Sequence, residues 1–519
     1  MKNLYIDTRI LDDLNRKNHF LSEEIMMENA AAALEKHIEN YFKNSKLTKT
    51  FCAIILCGGG NNGADGYALS RRLSGKYKIF TVQVKPTSSE LAEIQKKRFL
   101  STSEQLFILD DFIAQKEEFT NSVDSLLKET NAVIVDCVFG SGFHGEFSNN
   151  FSEFFKYINS LECFKIACDI PSGLSLKGET CENSFKADIT VSMGALKFAF
   201  YTDSAKDITG TIFTENLGIS QKKFEENQES YIKLLEKTDL TLPERNKNNV
   251  HKGTFGHAAV ILGEKVGAAS LAGTSALSFG CGLVTLVESE SNKNSASKFK
   301  IPLSLMLSSE IPENISCLVL GPGFGRNGNP QKYIDFLKSH PKVKAVLDAD
   351  IFYYPQITEL LKRRPNGIIL TPHPKEFSSL LKIAKISKTS SENDKSDFSV
   401  EDCVKFKTEL MEIFCRCFPD VILHVKGANS ITGTFCKNEN GIWNFNLFVN
   451  PEGKPSLSKA GSGDVLSGFT AALLCQGYDN LSSMLNATLC HALCSSKIKN
   501  NFALTPERLI TLVENFSFT

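Results

Sequence analysis

The chain has 519 residues, too many for one hydrophobic core, so we expect two or more domains. Hydrophobic residues make up 42% and charged residues 23% of it, as in ordinary globular proteins. The 58 basic and 59 acidic side chains give a net charge of −1, which excludes the basic footprint typical of nucleic-acid binding. No run of about 18 apolar residues is present, so no membrane partner is expected.

The cysteines and the N-terminus predict a location. The 15 cysteines are scattered through apparent strands and helices, and none has the partner pair that a zinc site needs. Residues Met1–Asp7 lack the apolar core of a signal peptide. We therefore expect buried, reduced thiols in a cytoplasmic protein.

The first informative segment is a strand, a glycine-rich loop and a helix. Phe51–Leu56 is an apolar run of strand length, Cys57–Gly66 is rich in glycine, and Tyr67–Leu73 is typical of a helix. This order is the phosphate-binding layout of a Rossmann-like unit, although many α/β domains use such a loop only to tighten a turn. Three side chains add oxygen ligands and donors where a ligand or cation would lie: Asn61, Asn62 and Asp65.

Two later segments repeat the pattern of apolar strand, acid and loop. Ala132–Gly142 contains Asp136, and Lys165–Leu174 contains Asp169. Acids at the carboxyl ends of parallel strands point into the crevice where such sheets bind ligands. We therefore expect both carboxylates at a ligand site.

Polar sequence separates the two halves of the chain. Gln221–Glu229 and Pro243–Asn249 have few apolar residues, whereas Tyr231–Leu242 between them is more apolar and could pack on either side. Each half alternates apolar strand runs with helical stretches, which predicts two α/β units with mainly parallel sheets.

The domain limits follow from this separation. We predict an N-terminal domain over residues 1–220, a linker over 221–240 and a C-terminal domain over 241–519. Their sizes, roughly 220 and 280 residues, suit independent cores.

Near the C-terminus, Gly461, Ser462 and Gly463 run directly into Asp464, and a helix-compatible apolar segment follows over Val465–Cys475. Amides at such a helix start form an anion site. An aspartate would repel a phosphate there, so we interpret Asp464 as a base that deprotonates a hydroxyl during phosphoryl transfer. The alternative is that Asp464 merely caps the helix.

This segment resembles the C-terminal signature of ribokinase-like enzymes, in which the aspartate is the base and the preceding amides form the anion hole. Further matches occur in chain order: His251–Gly263, Leu320–Gly325, Val346–Asp350, Leu370–Phe377 and Lys426–Ser430. Together they resemble the ADP/ATP-dependent NAD(P)H-hydrate dehydratases over residues 240–519.

The N-terminal motifs, with Ala187–Lys197, resemble NAD(P)H-hydrate epimerase over residues 1–220. The whole chain thus resembles the fused bifunctional enzymes that repair hydrated nicotinamide cofactors. The resemblance implies an α/β fold class, with an N-terminal Rossmann-like three-layer domain and a C-terminal ribokinase-like domain.

For the epimerase half, the resemblance implies that Asp169 is the acid or base and Lys197 its electrostatic partner. The implied substrate-binding residues are Asn61, Asn62, Gly63, Ala64, Asp65, Gly140, Ser141, Gly142, Phe143, His144, Gly145, Glu146 and Asp169. Ala64 stands where the family usually has Gly, and a positive φ there would strain the loop.

The resemblance also implies a potassium site made by Asn62, Asp136 and Ser172. Neutral oxygens with one carboxylate suit a large monovalent cation better than magnesium. The alternative is that Asn62 and Ser172 only satisfy the backbone of their turns.

For the dehydratase half, the resemblance implies phosphorylation of the hydrate hydroxyl, then elimination of phosphate, with Asp464 as the base and Mg²⁺ accompanying ADP or ATP. The implied nucleotide-binding residues are Lys426, Gly427, Ala428, Asn429, Ser430, Gly461, Ser462 and Gly463. The implied contacts with the hydrate are Ala268, Gly323, His373 and Asp464. His373 could instead be a turn residue; Asn429 and Lys375 replace the family's usual glycines.

Three hypotheses for the function remain. The first is a bifunctional enzyme that epimerises R and S NAD(P)HX and dehydrates the S form with a nucleotide, ADP being the expected one. The second is a ribokinase-like kinase of hydroxymethylpyrimidine or a sugar, fused to a dinucleotide-binding domain; a stable phosphorylated product would favour it. The third is a non-catalytic binding protein. We expect small-molecule partners, NADHX, NADPHX and ADP or ATP, and a homo-oligomer.

Overall fold

The computed structural model describes residues 1–45, 49–290, 300–364, 366–388 and 396–515. It divides into two compact units, Asn3–Ser230 and the chain from Tyr231 onward, which groups with Met1 and Lys2. Both units are α/β, as the sequence predicts. In the described part of the chain, no helix is long and apolar enough to cross a membrane.

The N-terminal unit contains a seven-stranded sheet. After the short strand β1 (Lys2–Leu4), its strands are β2 (Thr50–Cys57), β3 (Lys78–Gln83), β4 (Leu106–Ile108), β5 (Thr130–Cys137), β6 (Phe164–Cys168), β7 (Ile189–Met193) and β8 (Thr211–Glu215). Their order is β4-β3-β2-β5-β6-β7-β8, with parallel neighbours throughout. The chain reverses direction along the sheet between β2 and β5, and ligands bind parallel sheets at such a switch point.

Helices cover both faces of this sheet. They are α1 (Arg9–His19), α2 (Glu23–Asn44), α3 (Asn61–Leu73), α4 (Glu90–Leu100), α5 (Lys116–Glu129), α6 (Asn149–Ser160) and α7 (Gln221–Phe224). Side chains of β2 alternate between two cores, because successive strand residues point to opposite faces. Ala53 and Ile55 join the core with α2 and α3, whereas Ile54 and Leu56 join the core with α5 and α6. The result is the three-layer arrangement that the sequence predicts.

The C-terminal unit is built on a larger, mixed sheet. Its strands are β9 (Ile232–Leu234), β10 (His257–Leu262), β11 (Leu283–Glu288), β12 (Met306–Ser308), β13 (Cys317–Leu320), β14 (Lys344–Leu347), β15 (Ile368–Leu370), β16 (Ile422–Val425), β17 (Ser430–Lys437) and β18 (Trp443–Asn450). From β9 the order is β9-β18-β17-β16-β15-β14-β13-β10-β11-β12. Only the pairs of β17 with β16 and with β18 are antiparallel among these described strands. The switch point lies between β10 and β13.

The helices of this unit are α8 (Val266–Ser278), α9 (Gln331–Ser339), α10 (Gln356–Arg363), α11 (Pro374–Ile383), α12 (Val400–Lys405), α13 (Lys407–Cys417), α14 (Ser462–Cys475), α15 (Asn480–Ser495) and α16 (Pro506–Leu512). Short 3₁₀ turns in the two units lie at Phe198–Tyr201, Ala205–Asp207, Lys237–Asp239, Lys252–Phe255, Ala349–Tyr353, Pro455–Leu457, Asn501–Ala503 and Val513–Asn515. Helix α14 is apolar along nearly its whole length and packs in one core with α8 and α15. Only its first turn carries charge, so burial of the rest fixes where that turn lies.

The segment predicted as a linker, 221–240, is divided between the two units. Phe224 in α7 is 2% exposed and belongs to an N-terminal core. Strand β9 pairs with β18 in the C-terminal sheet, so Tyr231–Leu242 begins with an element of the C-terminal unit. Because the segment is mostly polar, its composition did not reveal these few buried apolar side chains.

Candidate active sites

The N-terminal unit holds a cavity of about 620 Å³ at the carboxyl ends of its central strands. The predicted substrate-binding residues that line it are Asn61, Asn62, Asp65, Gly140, Ser141, Gly142, Phe143 and Asp169. The others lie outside its wall: Gly63, Ala64, His144, Gly145 and Glu146. Gly63 still matters to the loop, because a Cβ there would lie 1.9 Å from the carbonyl oxygen of Gly58.

Ala64 is not strained. It lies inside α3, is fully buried against Met27 and Ala92, and has no positive φ. The loop strain considered for an alanine here is therefore absent, because the helix begins at Asn61, before this position.

Asp169 and Lys197 form an ion pair at the cavity wall. Lys197 Nζ lies 2.6 Å from Asp169 Oδ1, and the amide of Met193 donates to the same oxygen at 3.1 Å. Lys197 is completely buried and does not line the cavity, so it reaches a ligand there only through Asp169. Asp169 has φ 63°, a left-handed conformation that is costly for a residue other than Gly and is common at functional sites.

Four more acidic residues line this cavity with Asp169, and the pKa values of two of them, Asp65 and Asp12, are raised. Burial raises the pKa of Asp65 well above its ordinary value, and the charge of Asp169 raises it further. Burial, followed by the charge of Asp169, raises the pKa of Asp12 to about 6. Asp12 lies on α1, and sequence reasoning missed it because no glycine-rich loop or strand end marks it.

Sequence reasoning also missed the basic side chains that line the cavity. Arg9 is bound to Asp7, and Arg16 is bound to Asp13 and Glu23. Lys85 lies over the ring of Phe139, 5.3 Å from its centroid, and has no hydrogen-bond or ion-pair partner within the described ranges. Lys85 follows β3, so the only sequence signal for it was its place at a strand end.

The three predicted potassium ligands lie together around the backbone of Phe139. Asn62 Nδ2 donates to the Phe139 carbonyl at 3.0 Å, and the Phe139 amide donates to Ser172 Oγ at 2.9 Å. Ser172 Oγ donates to Asp136 Oδ1 at 2.7 Å, and the Ser172 amide donates to Oδ2 at 2.7 Å. Burial raises the pKa of Asp136 to about 6, although these bonds oppose the rise.

These contacts satisfy turn backbone, as the alternative interpretation of Asn62 and Ser172 expects. One atom remains: Asn62 Oδ1 is buried and has no hydrogen-bond partner in the described structure. A buried oxygen without a donor calls for an explanation, and a cation is one.

In the C-terminal unit, Asp464 is not the cap of α14. Gly461 takes that position with φ 91°, and Asp464 is the third residue of the helix, with no capping bond from its side chain. The Ser462 amide donates to the Lys459 carbonyl at 3.2 Å. Of the described amides in this first turn, those of Gly463 and Asp464 have no acceptor and can bind an anion. Of the three predicted anion-hole amides, that of Ser462 is thus engaged, whereas those of Gly461 and Gly463 have no acceptor in the described ranges; the Asp464 amide is a further open one.

Lys426 lies beside this turn. A Cβ at Gly463 would be 3.1 Å from Lys426 Nζ. The ammonium is bound to Asp348 Oδ1 at 2.7 Å, and Ser467 Oγ donates to Asp348 Oδ2 at 2.7 Å. Asp348 and Ser467 were not assigned to the site from sequence; Asp348 had a signal, because it directly follows an apolar strand.

The charges around the turn raise the pKa of its carboxylate. Burial, followed by Asp348, raises the pKa of Asp464 to about 6, against the opposing effect of Lys426. Burial lowers the pKa of Lys426, but the carboxylates around it, led by Asp348 and Glu376, outweigh burial and raise it. Lys426 therefore carries a positive charge next to a carboxylate suited to accept a proton near neutral pH.

His373 caps helix α11. Its Nδ1 accepts from the amides of Lys375 and Glu376 at 3.1 and 3.3 Å, and its Nε2 lies 3.1 Å from Glu376 Oε1. Both ring nitrogens are thus engaged locally, while 45% of the side chain stays exposed. Lys375 is exposed to solvent.

Gly323 and Ala268 are neighbours, as predicted substrate contacts should be. A Cβ at Gly323 would lie 3.0 Å from Ala268 Cβ and 2.4 Å from the Lys265 carbonyl, and Gly323 has φ 64°. Only glycine fits this close approach.

The loop 427–430 follows β16 and Lys426, and its last residue, Ser430, begins β17. Gly427 and Ala428 are exposed, whereas Asn429 is 2% exposed and has no positive φ, so it needs no glycine. Ser430 Oγ is 3.2 Å from Thr488 Oγ1 on α15. Lys426, the first residue of the predicted nucleotide segment, is thus the one that reaches the turn of Asp464.

Comparison with known proteins covers both units. The family model described as NAD(P)H-hydrate dehydratase matches residues 258–515, and the YjeF-related protein N-terminus model matches residues 23–199. A bifunctional NAD(P)H-hydrate repair enzyme from Helicobacter pylori is 38% identical over 514 residues, which are 99% of this chain and 100% of that protein. One from Dictyoglomus turgidum is 29% identical over 97% of this chain and 95% of that protein.

Among solved structures, the ADP/ATP-dependent NAD(P)H-hydrate dehydratase from Bacillus subtilis, co-crystallised with ATP and Mg²⁺, is 24% identical. It covers 53% of this chain and 93% of its own, with a TM-score of 0.42. The match to the Helicobacter pylori protein spans the full length of both chains, and the two family models match the N-terminal and C-terminal halves of this chain. The chain belongs to the family of bifunctional NAD(P)H-hydrate repair enzymes.

Proposed function

We propose that the two sites act in sequence on hydrated NADH and NADPH. The N-terminal cavity interconverts the R and S hydrates, and the C-terminal site dehydrates the S hydrate with ADP or ATP. The observation that carries the proposal is the first turn of α14, where Asp464 lies beside two open amides and the Lys426 ammonium. A carboxylate at an anion-binding turn fits a base that acts next to a phosphoryl group.

In the dehydration, Asp464 takes the proton of the hydrate hydroxyl, and the oxygen attacks the terminal phosphorus of the nucleotide. The bond from that phosphorus to the bridging oxygen breaks, which releases AMP from ADP or ADP from ATP. The carbon–oxygen bond then breaks, inorganic phosphate leaves, and loss of a ring proton restores NAD(P)H. Phosphate leaves far more readily than hydroxide, so nucleotide cleavage drives the step.

Each group of residues in the C-terminal site has its own role in the dehydration. The amides of Gly463 and Asp464, with Lys426, stabilise charge on the phosphoryl group in flight. Mg²⁺ bound with the nucleotide would offset the charge of its phosphates. Gly323, Ala268 and the exposed part of His373 contact the hydrate, and the loop 427–430 contacts the nucleotide.

In the epimerase cavity, Asp169 exchanges the proton as the hydroxyl leaves and returns, and Lys197 balances the charge of Asp169. Asp12 supplies a second proton, since its pKa of about 6 keeps part of it protonated near neutral pH. Asn61 and Gly140–Phe143 hold the dinucleotide along the carboxyl ends of the strands.

K⁺ binds at Asn62 in this proposal, with Asp136 as the carboxylate and Ser172 as a neutral oxygen. The buried Asn62 Oδ1 without a donor supports the cation. The thermal midpoint of the N-terminal unit should rise with KCl and not with choline chloride, and epimerisation should rise in parallel. Asp136→Asn should remove both responses; an unchanged response would exclude this ligand set.

The unpaired thiols support a cytoplasmic location. All 15 cysteines are free, and most are buried. Homo-oligomerisation is the other part of the proposal, and sedimentation of the purified chain tests it.

The direct test of the proposal supplies the purified chain with separated R and S hydrates. With ADP or ATP, the S hydrate should yield NAD(P)H, read by absorbance, together with one phosphate per turnover. The R hydrate should react only as fast as epimerisation supplies S. Accumulation of a stable phosphorylated product instead would favour the kinase hypothesis.

A further inference from the structure

Asp348 lies where three elements of the C-terminal site meet. It follows β14, and its side chain is 1% exposed. Oδ1 accepts from Lys426 Nζ at 2.7 Å and from the Ala349 amide at 2.9 Å. Oδ2 accepts from Ser467 Oγ at 2.7 Å, one turn along α14 from Asp464. The carboxylate is thus fixed from three directions.

Lys426 is placed between competing carboxylates. Its charge is attracted by Glu376 and Asp464 as well as by Asp348. Within the described ranges, however, Asp348 is the one carboxylate at ion-pair distance from the ammonium. The ammonium is close to the turn that carries Asp464, since a Cβ at Gly463 would lie 3.1 Å from it.

We infer that Asp348 is a positioning residue that binds the Lys426 ammonium and so prevents an ion pair between Lys426 and Asp464. The inference rests on the proposed function, in which Asp464 is the base and Lys426 serves the phosphoryl group. A direct pair would weaken both roles, because it would stabilise the Asp464 carboxylate and withdraw the ammonium from the phosphate. Ser467 helps by holding the second oxygen of Asp348.

The charges that face Asp464 support a pairing of Lys426 with Asp348 and not with Asp464. They are Asp348 and Asp350 from the loop after β14, Lys426 from the end of β16 and Glu376 from α11. In Asp348→Asn an anion is lost and Lys426 is released toward Asp464, and both changes lower the pKa of Asp464. The base is active above its pKa, so the acid limb of the activity profile should move to lower pH.

The test measures kcat/KM against pH for nucleotide-dependent dehydration of the S hydrate by the full-length chain. The maximum kcat/KM of Asp348→Asn should be about 10-fold or more below that of the wild type. Its acid limb, expected near pH 6 in the wild type from the raised pKa of Asp464, should move down by about one pH unit. Ser467→Ala is the matched comparison, because it removes one hydrogen bond from Asp348 and no charge; its limb should move much less than that of Asp348→Asn. Asp348→Glu should return the acid limb most of the way to its wild-type pH.

The outcomes separate the inference from the proposed function. An Asp348→Asn protein that unfolds in urea like the wild type but keeps its acid limb overturns the inference. If Asp348→Asn does not fold, Lys426→Met carries the test, because loss of the ammonium should move the limb to higher pH; an unmoved limb overturns the inference. If Asp464→Asn still dehydrates the hydrate, the proposed function itself fails.

Discussion

At the scale of single residues, the ionised carboxylate of Asp12 in the N-terminal cavity lowers the stability of the folded chain. The pKa of Asp12 in the folded chain is about 6, above the value of about 3.9 for an unfolded chain. The folded state therefore binds this proton more tightly. Binding of this proton therefore stabilises the folded state. This stabilisation is complete below about pH 4 and is lost as the pH rises through 6.

Asp12→Asn should therefore stabilise the N-terminal unit at about pH 8 by about 1–2 kcal/mol, after allowance for solvent screening, and have little effect at about pH 4. Urea unfolding at the two pH values measures this difference. Asp13→Asn is the control, because Asp13 is the adjacent acid but its side chain is 67% exposed. An equal gain for both variants, or a gain at low pH only, would contradict the assignment of Asp12 to the cavity.

Single residues were predictable from sequence where a local motif marked them. Asp464 follows G-x-G, and Asp169 follows an apolar strand, so local sequence was enough to make both of them candidates. Asp12 and Ser467 could not be assigned in this way, because they reach their sites through helix packing between segments far apart in the chain. Which amides of the α14 start are open also needed the backbone, since the Ser462 amide is engaged by one hydrogen bond to Lys459.

At the scale of elements, the start of α14 depends on Gly461. Its φ is 91°, and a Cβ there would lie 2.7 Å from Pro506 Cγ and 2.8 Å from Leu271 Cδ1. Gly461→Ala should therefore displace the first turn and reduce dehydration by about 100-fold, since misplaced catalytic groups cost this much. Epimerisation by the same protein should be unchanged.

Gly477→Ala is the matched control at the other end of the helix. Gly477 has φ 90°, so alanine there strains the backbone. Nothing lies within 4 Å of the added Cβ, so the substitution causes no steric clash. It should lose about 1 kcal/mol of unfolding free energy and keep its dehydratase activity. Equal loss of activity in the two variants would show that helix stability, and not the placement of the turn, sets the rate.

The strands that carry the motifs were predictable, because each of them is an apolar run with a glycine or an acid at its end. The elements in 221–240 were not, because α7 and β9 are four and three residues long and their buried side chains stand among charged ones. Only pairing with β18 identifies β9 as part of the second sheet.

At the scale of the whole molecule, the two activities should separate at Ser230. Residues 1–230 and 231–519, expressed as separate chains, should each fold and keep epimerisation and dehydration respectively. A chain of 241–519 should be less stable than 231–519 by about 3 kcal/mol or more, because it lacks the buried Ile232, Leu234 and Leu235. Urea unfolding and assay of each chain measure this; failure of 231–519 to dehydrate the S hydrate would contradict two independent modules.

Fusion then has a physical benefit that needs no new contact. A tether raises the effective concentration of the S hydrate, made from R by the first unit, at the second unit. With R hydrate as substrate, the intact chain should form NAD(P)H faster than the two separate chains mixed at equal low concentration. Equal rates would show that free diffusion already suffices.

The central claim is that one chain carries two independent carboxylate-based sites. The measurement that tests it most directly assays both reactions on Asp464→Asn and on Asp169→Asn. Asp464→Asn should lose nucleotide-dependent dehydration by about 10²–10⁴-fold and keep epimerisation. Asp169→Asn should lose epimerisation to a similar extent and still dehydrate the S hydrate. Near-normal dehydration by Asp464→Asn, or loss of both reactions in either variant, would contradict the account.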